Sequence, residues 1–395
     1  MFATFIDIVF PLYYNTICEI FELFGDGLKV VRFLKKNVVF CIAALAAVVT
    51  SVFVPIDKEY INYFDFKTLS CLFLTLAVVC ALRNIKFFTI LARKLVKMAG
   101  NLRSLFLLLI IITFIGSMII ANDMALITFL PLGYFALSVI KQEKYMAYLF
   151  VLQNISANLG GMLTPFGNPQ NLYLYSYFNI PTGEFCGVML PAFLLAVLLL
   201  VLACLPVKPI KFSLDEDFRE KLNFKKTTLY IILFLFSILI VFRVVPFLVG
   251  LLIIPVILFF VDRDALKMVD YGLLGTFFFF FIFAGNLARI EQVNLLMSTL
   301  LEKDSLLVSV LSCQFMSNVP TAILLSRFTE NYVPLLLGVN IGGTGTLIAS
   351  LASLITFNEF RLLHPEQTKK YLVIFTAVNA FFLIVLTVAA KLFWV

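Results

Sequence analysis

The chain has 395 residues, of which 62% are hydrophobic and 13% charged, and its mean hydropathy is +1.05. This composition lies far from that of soluble domains and excludes a soluble enzyme or a soluble binding module. The net charge of +7 would suit nucleic-acid binding, but the basic residues fall in short segments between apolar stretches. That distribution favours the positive-inside rule of membrane proteins instead.

The N-terminal segment, residues 1–36, precedes the first clearly apolar window. It carries Asp7, Glu19 and Glu22 and lacks a basic leading region, so we do not expect a cleavable signal peptide. We predict that the segment is cytoplasmic or lies at the membrane interface. Residues 1–24 fit either an interfacial helix or a weak first span.

Apolar windows of about 20 residues, long enough to cross a bilayer as a helix, recur along the rest of the chain. They are 38–54, 66–82, 187–206, 228–245, 271–287 and 371–394. We therefore predict an all-α polytopic membrane protein with about 9–11 spans.

The distribution of Lys and Arg predicts how these spans are oriented. If residues 1–36 are cytoplasmic, 23 of the 30 Lys and Arg residues lie in segments on the cytoplasmic side, as the positive-inside rule requires. This holds only if the apolar stretches 104–140 and 304–330 each return to the side from which they entered. We predict that both are re-entrant helical hairpins, one on each face of the membrane.

A polar pair lies near the midpoint of each predicted hairpin, Asn122-Asp123 in the first and Ser317-Asn318 in the second. Asp123 is the most informative of these residues. A carboxylate at bilayer depth costs at least ~2.5–3.5 kcal/mol on insertion scales, so it needs a partner, a cation or a proton. The alternative is that Asp123 lies near a membrane face and is solvated.

The pattern Asn-x-Gly-Gly follows each hairpin, in ANLGGMLTPFGNPQN (157–171) and in GVNIGGTGTLIASLASL (338–354). Its glycines, together with Pro165 and Pro169, interrupt a helix. Interrupted backbone persists at membrane depth only inside protein or beside a cavity, where free N–H groups attract an anion and free carbonyls a cation. Small residues also serve close helix packing, but two clusters at matching positions favour a ligand site.

Each half of the chain thus contains spans, a polar-tipped hairpin, a broken helix and a closing span. Two halves of inverted topology with discontinuous helices are typical of secondary transporters. The predicted segments are an N-terminal segment (1–36), a first repeat (37–206, with hairpin 104–140 and broken helix 145–178), a cytoplasmic linker (207–227) and a second, inverted repeat (228–395, with hairpin 304–330 and broken helix 332–358).

The candidate substrate- or ion-binding residues are those at the tips and breaks that supply uncharged donors and acceptors, a carboxylate, or close backbone approach. They are Asn122, Asp123, Asn158, Gly160, Gly161, Thr164, Pro165, Gly167, Asn168, Asn171, Ser317, Asn318, Thr321, Asn340, Gly342, Gly343, Thr344, Thr346 and Ser350.

Enzyme motifs are missing from the sequence: the only histidine, His364, lies in a predicted loop, and there is no HExxH, GxSxG or P-loop lysine. We therefore expect neither catalytic residues nor a cofactor other than a coupling ion. The basic segment 83–103 predicts an interfacial helix, with a counterpart at 288–300. Arg243 and Arg289 are expected to snorkel from span ends.

Four segments, IIANDMALITFLP, ANLGGMLTPFGNPQN, SNVPTAILLS and VNIGGTGTLIASLASL, resemble the signature segments of the ion transporter superfamily. The resemblance covers residues 35–395 in the expected order. This group contains arsenite-efflux permeases, Na⁺/H⁺ antiporters, and sodium-coupled dicarboxylate and sulfate carriers. The chain is most similar to small bacterial inner-membrane anion permeases without an assigned substrate.

The resemblance implies that hairpin tips and unwound segments bind substrate and coupling ion, often within a homodimer. It implies one half-site at Asn122, Asn158, Gly160, Gly161, Thr164, Pro165 and Gly167, and another at Ser317, Asn318, Gly342, Gly343, Thr344 and Thr346. A Na⁺ ion would then lie near Asn122, Gly160, Asn318 and Gly342. Sodium–dicarboxylate carriers typically have Ser-Asn-Thr at both tips; the tips here, Ala-Asn-Asp and Ser-Asn-Val, are closer to the arsenite and antiporter branches.

We expect an ion-coupled secondary transporter that moves a small anion or oxyanion by alternating access, with Na⁺ or H⁺ as coupling ion. It would lie in the cell (inner or plasma) membrane with a cytoplasmic N-terminus. The alternative is a Na⁺/H⁺ antiporter or an arsenite-type efflux permease coupled through Asp123. An ion channel would need no coupling residue, and a structural scaffold would tolerate a bulky side chain at Gly160.

Overall fold

The computed structural model describes residues 38–212 and 222–394. The predicted N-terminal segment 1–36 and the acidic stretch 215–220 of the predicted linker lie outside these residues. Within them the chain is helical, apart from turns and one isolated β-bridge.

The α-helices of the described residues are α1 (Val38–Phe53), α2 (Phe66–Asn84), α3 (Phe87–Val96), α4 (Leu102–Ile120), α5 (Asn122–Val139), α6 (Met146–Gly160), α7 (Pro169–Tyr177), α8 (Thr182–Cys204), α9 (Phe224–Val241), α10 (Phe247–Val261), α11 (Arg263–Lys267), α12 (Tyr271–Arg289), α13 (Glu291–Met316), α14 (Asn318–Leu325), α15 (Tyr332–Ile341), α16 (Leu351–Leu363) and α17 (Thr368–Phe393).

Seven helical segments of the described residues are long and apolar enough to cross a membrane. They are α2, α4, α5, α8, α9, α12, and α17 with the short turn before it. Three shorter apolar helices, α1, α10 and α15, accompany them. The chain is therefore a multi-pass membrane protein, and the predicted all-α polytopic fold class is confirmed.

Two packed helix pairs turn sharply at a single residue. Helices α4 and α5 meet at Ala121 (φ 67°, ψ 154°), and α13 and α14 meet at Ser317 (φ 75°, ψ 157°). Non-glycine residues rarely adopt this backbone conformation, yet both turns use it. In each pair an asparagine, Asn122 or Asn318, is the first residue of the second arm.

A kink at Asp304 (φ −162°, ψ 83°) divides α13 into residues 291–303 and a hairpin arm. The carboxylate of Asp304 accepts a hydrogen bond from the backbone N–H of Leu307 (3.0 Å) and so caps this arm. The second pair therefore begins at 304, and the helix before the kink occupies the region expected at 288–300.

Two helices are interrupted within the bundle. Helix α6 ends at Gly160, a single 3₁₀ turn follows, and α7 begins at Pro169. Proline favours the first position of a helix because it has no N–H to satisfy there. Helix α15 ends at Ile341, and α16 begins only at Leu351. We call the segments 161–168 and 342–350 the first and second break.

The helix order of residues 38–204 recurs over residues 247–393: a short helix, a long helix, a helix preceding a hairpin, the hairpin, a broken helix and a long closing helix. The first helix of each series packs on the long helix of the other series: α1 packs on α12, and α10 packs on α2. Helix α9 stands between the series. The hairpins pack on the broken helices, so that the two breaks lie in the protein interior.

Asp262 holds three helices together. It is 9% exposed and accepts hydrogen bonds from Asn84 Nδ2 (2.9 Å) and Tyr230 OH (3.0 Å). It also accepts one from the backbone N–H of Ala265 (3.2 Å) at the start of α11. Helices α2, α9 and α11 are thus fixed to one carboxylate.

Replacing Asp262 by alanine is expected to lower the free energy of unfolding by about 3 kcal/mol, because the buried Tyr230 hydroxyl and the buried backbone N–H of Ala265 lose a charged acceptor. Thermal unfolding of the detergent-purified protein measures this change. Asp264→Ala is the control, since Asp264 makes only an exposed pair with Lys267 (2.9 Å), and exposed pairs contribute little. Equal losses in both variants would contradict the anchoring role of Asp262.

Candidate functional site

The two breaks are joined by asparagine side chains at the centre of the bundle. Asn340 of α15 donates through Nδ2 to Asn171 Oδ1 of α7 at 2.6 Å. Asn168 Nδ2 lies 3.5 Å from Asn340 Oδ1. All three side chains are at most 1% exposed. Residues 172 and 169 positions apart in sequence therefore form one polar cluster.

A second contact between the halves lies beside this cluster. Asn154 Nδ2 of α6 donates to Ser353 Oγ of α16 at 3.2 Å, and both residues are fully buried. Ser353 Oγ also lies 3.0 Å from Ser350 Oγ, where either atom can donate. The sequence analysis included Ser350 but not Asn154 or Ser353.

The first hairpin tip contacts the first broken helix through two side chains. Asn122 Nδ2 donates to Asn158 Oδ1 at 3.2 Å. Thr164 Oγ1 donates to the backbone carbonyl of Met118 at 3.0 Å. The first tip is thus connected both to the end of α6 and to the break itself.

Asn171 holds the first break in shape. Its Nδ2 lies within hydrogen-bond distance of the carbonyls of Gly161 (3.1 Å), Met162 (3.2 Å) and Thr164 (3.3 Å). Carbonyls at a helix end otherwise have no partner within the helix. One buried amide therefore takes the place of the missing helical hydrogen bonds.

Gly160 allows α6 to approach the first hairpin closely. A Cβ atom on Gly160 would overlap the backbone carbonyl oxygen of Phe114 and Ser117 Oγ on α4. The overlap with Phe114 involves backbone, which cannot move without displacing the helix. Glycine is required at this position for the close packing of α6 on α4.

Gln314 on α13 holds the second break. Its Nε2 donates to the carbonyls of Gly342 (2.9 Å) and Thr344 (3.2 Å), and its Oε1 accepts from the backbone N–H of Thr346 (2.9 Å). Gly345 has φ 116°, and its Cα lies against the same amide. Gln314 was not among the residues predicted from sequence, although it contacts Gly342, Thr344 and Thr346 of the second break.

The hydroxyl groups of Thr344 and Thr346 in the second break are also partnered. Thr344 Oγ1 donates to the carbonyl of Ile341 (2.6 Å), and Thr346 Oγ1 donates to that of Gln314 (3.0 Å). The backbone N–H of Asn318 donates to the carbonyl of Ala349 (2.9 Å), which joins the second tip to the break.

The first break, by contrast, retains unpaired polar groups. Asn158 is 2% exposed, and its Nδ2 has no hydrogen-bond partner within the described residues. Of the two helices that follow the breaks, α7 begins without a side-chain cap, whereas α16 is capped by Ser350, whose Oγ accepts from the N–H of Ser353 (3.2 Å). The second arms of both hairpins, α5 and α14, begin without a side-chain cap. Uncapped N-termini present free N–H groups and a partial positive charge.

Asp123 faces a cleft that runs between α2, the first tip and the start of α12. The cleft is also lined by Phe166 and Pro169 of the first break and by Asp270, which caps α12. One carboxylate oxygen of Asp123 is enclosed and has no hydrogen-bond partner within the described residues. Two carboxylates thus share a path that ends at the first break.

At the end of the bundle away from the cleft of Asp123, two arginines link helices to each other. Arg243, after α9, donates to the carbonyl of Tyr175 on α7 (2.5 Å) and lies 4.2 Å from the centre of its ring. Arg327, after α14, donates to the carbonyl of Tyr63 and lies 5.2 Å from the ring of Tyr177. Arg243 was expected to snorkel from a span end; it instead joins α9 to the first broken helix.

Arg289 supports this arrangement from α12. It pairs with Asp57 at 2.6 Å and donates to Tyr63 OH at 3.1 Å. The hydrogen bond from Arg289 holds the pKa of Asp57 below its ordinary value. Arg289, expected to snorkel from a span end, lies at the end of α12 with its guanidinium bound by protein groups.

Comparison with known proteins identifies the family. Residues 20–336 match a family model described as citrate transporter. The chain belongs to the citrate transporter family. Membership confirms the resemblance to the ion transporter superfamily and shows a transporter rather than an enzyme. The match to the citrate transporter family model ends before the second break.

Relatives of the chain carry transporter names but differ in what those names state. An uncharacterized transporter of Methanocaldococcus jannaschii is 34% identical over 85% of this chain and 92% of its own length. Inner membrane protein YbiR of Escherichia coli is 28% identical over 83% of this chain and 89% of its own. A silicon efflux transporter of Oryza sativa is 32% identical, over 41% of this chain and 34% of its own.

Most of the predicted site residues of this citrate transporter family member contact a tip, a break or the asparagine cluster. Thr321 contacts the second tip through a local bond only, since its Oγ1 donates to the carbonyl of Ser317 four residues earlier (2.7 Å). Gln153, fully buried on α6, was missed; it donates to Thr113 Oγ1 (3.2 Å) and to the carbonyl of Phe129 (3.1 Å). The signal available in the sequence was the polar pair Gln153-Asn154 within an apolar stretch.

Proposed function

We propose that the chain is an ion-coupled secondary transporter for a small anion or oxyanion, which it carries by alternating access. The observation that carries this proposal is the joined pair of breaks, linked by Asn340 and Asn171 at 2.6 Å and each backed by a hairpin tip. Discontinuous helices that meet at the interface of two repeats are the usual binding site of secondary transporters.

The chemistry of the first break favours a polar ligand. Asn158 Nδ2 is a buried donor without a partner, and α5 and α7 begin with uncapped N–H groups. Donors and helix N-termini suit an anion, and no Lys or Arg is needed for this purpose. A coupling Na⁺ would use carbonyl and amide oxygens near Asn122 and Gly160, and near Asn318 and Gly342 in the other half.

A second candidate function is favoured by the cleft of Asp123. The enclosed oxygen of this carboxylate has no partner among the described residues, and Asp270 lines the same path. An intramembrane carboxylate of this kind is suited to carry a proton or a cation. A Na⁺/H⁺ antiporter or an arsenite-type efflux permease coupled through Asp123 would use it. The name of the rice relative supports including silicic acid among the substrates to test.

Alternating access requires one part of the bundle to move against another. The moving unit would contain the hairpins, the broken helices, α8 and α17; the scaffold would contain α1, α2, α9, α10 and α12. Arg243 and Arg327 connect the two parts at one end, while the cleft of Asp123 separates them at the other. With the N-terminus in the cytoplasm, as the charge distribution predicts, the cleft faces inward.

Uptake into proteoliposomes tests both candidates. Sulfate, succinate, citrate, phosphate, arsenite and silicic acid are offered under an imposed Na⁺ or proton gradient, with Asp123→Asn and Asn318→Ala as variants. We expect one anion to accumulate only with a gradient, and uptake by both variants to fall at least about tenfold, the loss that one transition-state or binding contact can cause. Exchange of Na⁺ for protons without movement of any anion would instead establish the antiporter.

Two further proposals concern the protein in its membrane. A homodimer is proposed from the family resemblance, and cross-linking in native membranes would detect it. A cytoplasmic N-terminus in the inner membrane is proposed from the Lys and Arg distribution. A reporter fused to the N-terminus that works only in the cytoplasm would test that orientation.

A further inference from the structure

The two breaks satisfy their backbone groups in different ways. In the first, Asn171 supplies an amide nitrogen from the helix that directly follows the break. In the second, Gln314 supplies the amide from the arm of the second hairpin, 28 residues before Gly342. The two residues occupy unrelated positions in the two helix series, so aligning the two series does not pair them.

Gln314 fills the space between the two halves of the broken helix with a neutral amide. Its Nε2 serves carbonyls on the α15 side of the break, and its Oε1 serves the N–H of Thr346 on the α16 side. These are the two kinds of free backbone group that a broken helix would otherwise offer to a cation and to an anion. Gly345, with φ 116°, leaves free the space beside it that a Cβ would take and that the amide of Gln314 occupies.

The first break has no equivalent filling. Asn171 serves only its carbonyls, while the N-terminus of α7 has no side-chain cap and Asn158 Nδ2 is buried without a partner. A buried donor that lacks a partner costs free energy until a ligand accepts its hydrogen bond. Among the side chains of the two breaks and the helix ends beside them, the buried donor without a partner is therefore Asn158 Nδ2, on the first side.

We propose that Gln314 is a positioning residue which acts as a built-in ligand of the second break, so that the transported anion takes its hydrogen bonds from the first break alone. The proposal rests on the proposed transport function and deepens it. The second break is then a rigid part of the site, joined to the first break through Asn340 and Asn171. The second hairpin moves together with it.

Hydrogen–deuterium exchange of the protein in lipid nanodiscs tests the positioning role without any transport. Gln314→Met keeps the length of the side chain but removes its donors and acceptor. We expect exchange of residues 342–350 to rise about tenfold, because the hydrogen bonds from Gln314 to this segment are lost, with residues 158–171 unchanged. Leu311→Ala, on the exposed face of the same helix (57% exposed), is the control. Unchanged exchange over 342–350 would overturn the role of Gln314.

Uptake kinetics then test where the anion binds, using whichever anion the wild type accumulates. Asn158→Ala is expected to raise KM about tenfold, because a donor to the ligand is lost. Gln314→Met is expected to lower the maximal rate and to change KM less than about twofold. An equal rise of KM in both variants would place the ligand between both breaks and refute the one-sided site. A wild type that moves no anion would instead refute the proposed function, leaving the exchange result for Gln314 intact.

Discussion

Gly160→Ala should abolish uptake and lower the stability of the protein. The new Cβ would overlap the backbone oxygen of Phe114 and Ser117 Oγ, so α6 must move away from α4. Overpacking of a tight interior costs about 1–3 kcal/mol, and here the displaced element carries Asn158 and the first break. We expect uptake below about a tenth of the wild-type rate, as misplacement of a binding group commonly causes.

The matched control is Gly183→Ala on α8, where a Cβ would meet no atom within 4 Å. This variant adds the same methyl group at a helical glycine and should retain wild-type uptake and unfolding temperature. Proteoliposome uptake and thermal unfolding in detergent are measured for both. Full uptake by Gly160→Ala would show that the close contact of α4 and α6 is not needed for transport.

Asn171→Leu should destabilise the protein more than any other single substitution in the asparagine cluster. Leucine has a similar size but cannot donate to the carbonyls of the first break or accept from Asn340. Each buried polar group that loses its partner costs about 1–3 kcal/mol. With several groups affected, we expect a loss of at least about 3 kcal/mol and no measurable uptake.

Asn379→Leu provides the comparison for that experiment. Asn379 on α17 is also fully buried, but its Nδ2 donates only to the carbonyl of Phe375 one turn earlier, and its Oδ1 has no partner among the described residues. Leucine at 379 therefore removes no contact between helices and should be nearly neutral. If both variants lose the same stability, the loss comes from replacing any buried amide, and the hydrogen bonds of Asn171 to other segments do not contribute to stability.

The tips and breaks could be found from sequence because their composition opposes that of the surrounding helices. Polar or flexible residues interrupt apolar stretches at Asn122, at Asn318 and in the Asn-x-Gly-Gly pattern. At membrane depth such residues are tolerated only inside protein or beside a water-filled cavity. Lys and Arg counts then predicted that the segments holding the tips return to the side from which they entered. These signals are local, and each needs only a few neighbouring residues to be read.

The partners of these residues could not be found in the same way. Gln314 and Asn154 each lie in an ordinary apolar helix, and their acceptors come from segments 28 and 199 residues away. Arg243 lies at a span end, where exposure to water is the usual outcome, and only the packing of α7 against the scaffold brings Tyr175 to it. Contacts between elements distant in sequence leave no periodic or compositional trace.

The short helix α10 has a consequence for the surrounding lipid. It contains 15 residues, or about 22 Å at 1.5 Å per residue, whereas the hydrocarbon layer of a bilayer is about 30 Å thick. It carries exposed apolar side chains, such as Leu252 and Phe260. Lipid beside this helix must thin, or polar groups must be drawn inward, at a fraction of a kcal/mol per Å of mismatch. If the protein works by alternating access as proposed, the elastic energy of the bilayer, and hence its acyl chain length, contributes to the equilibrium between its conformations.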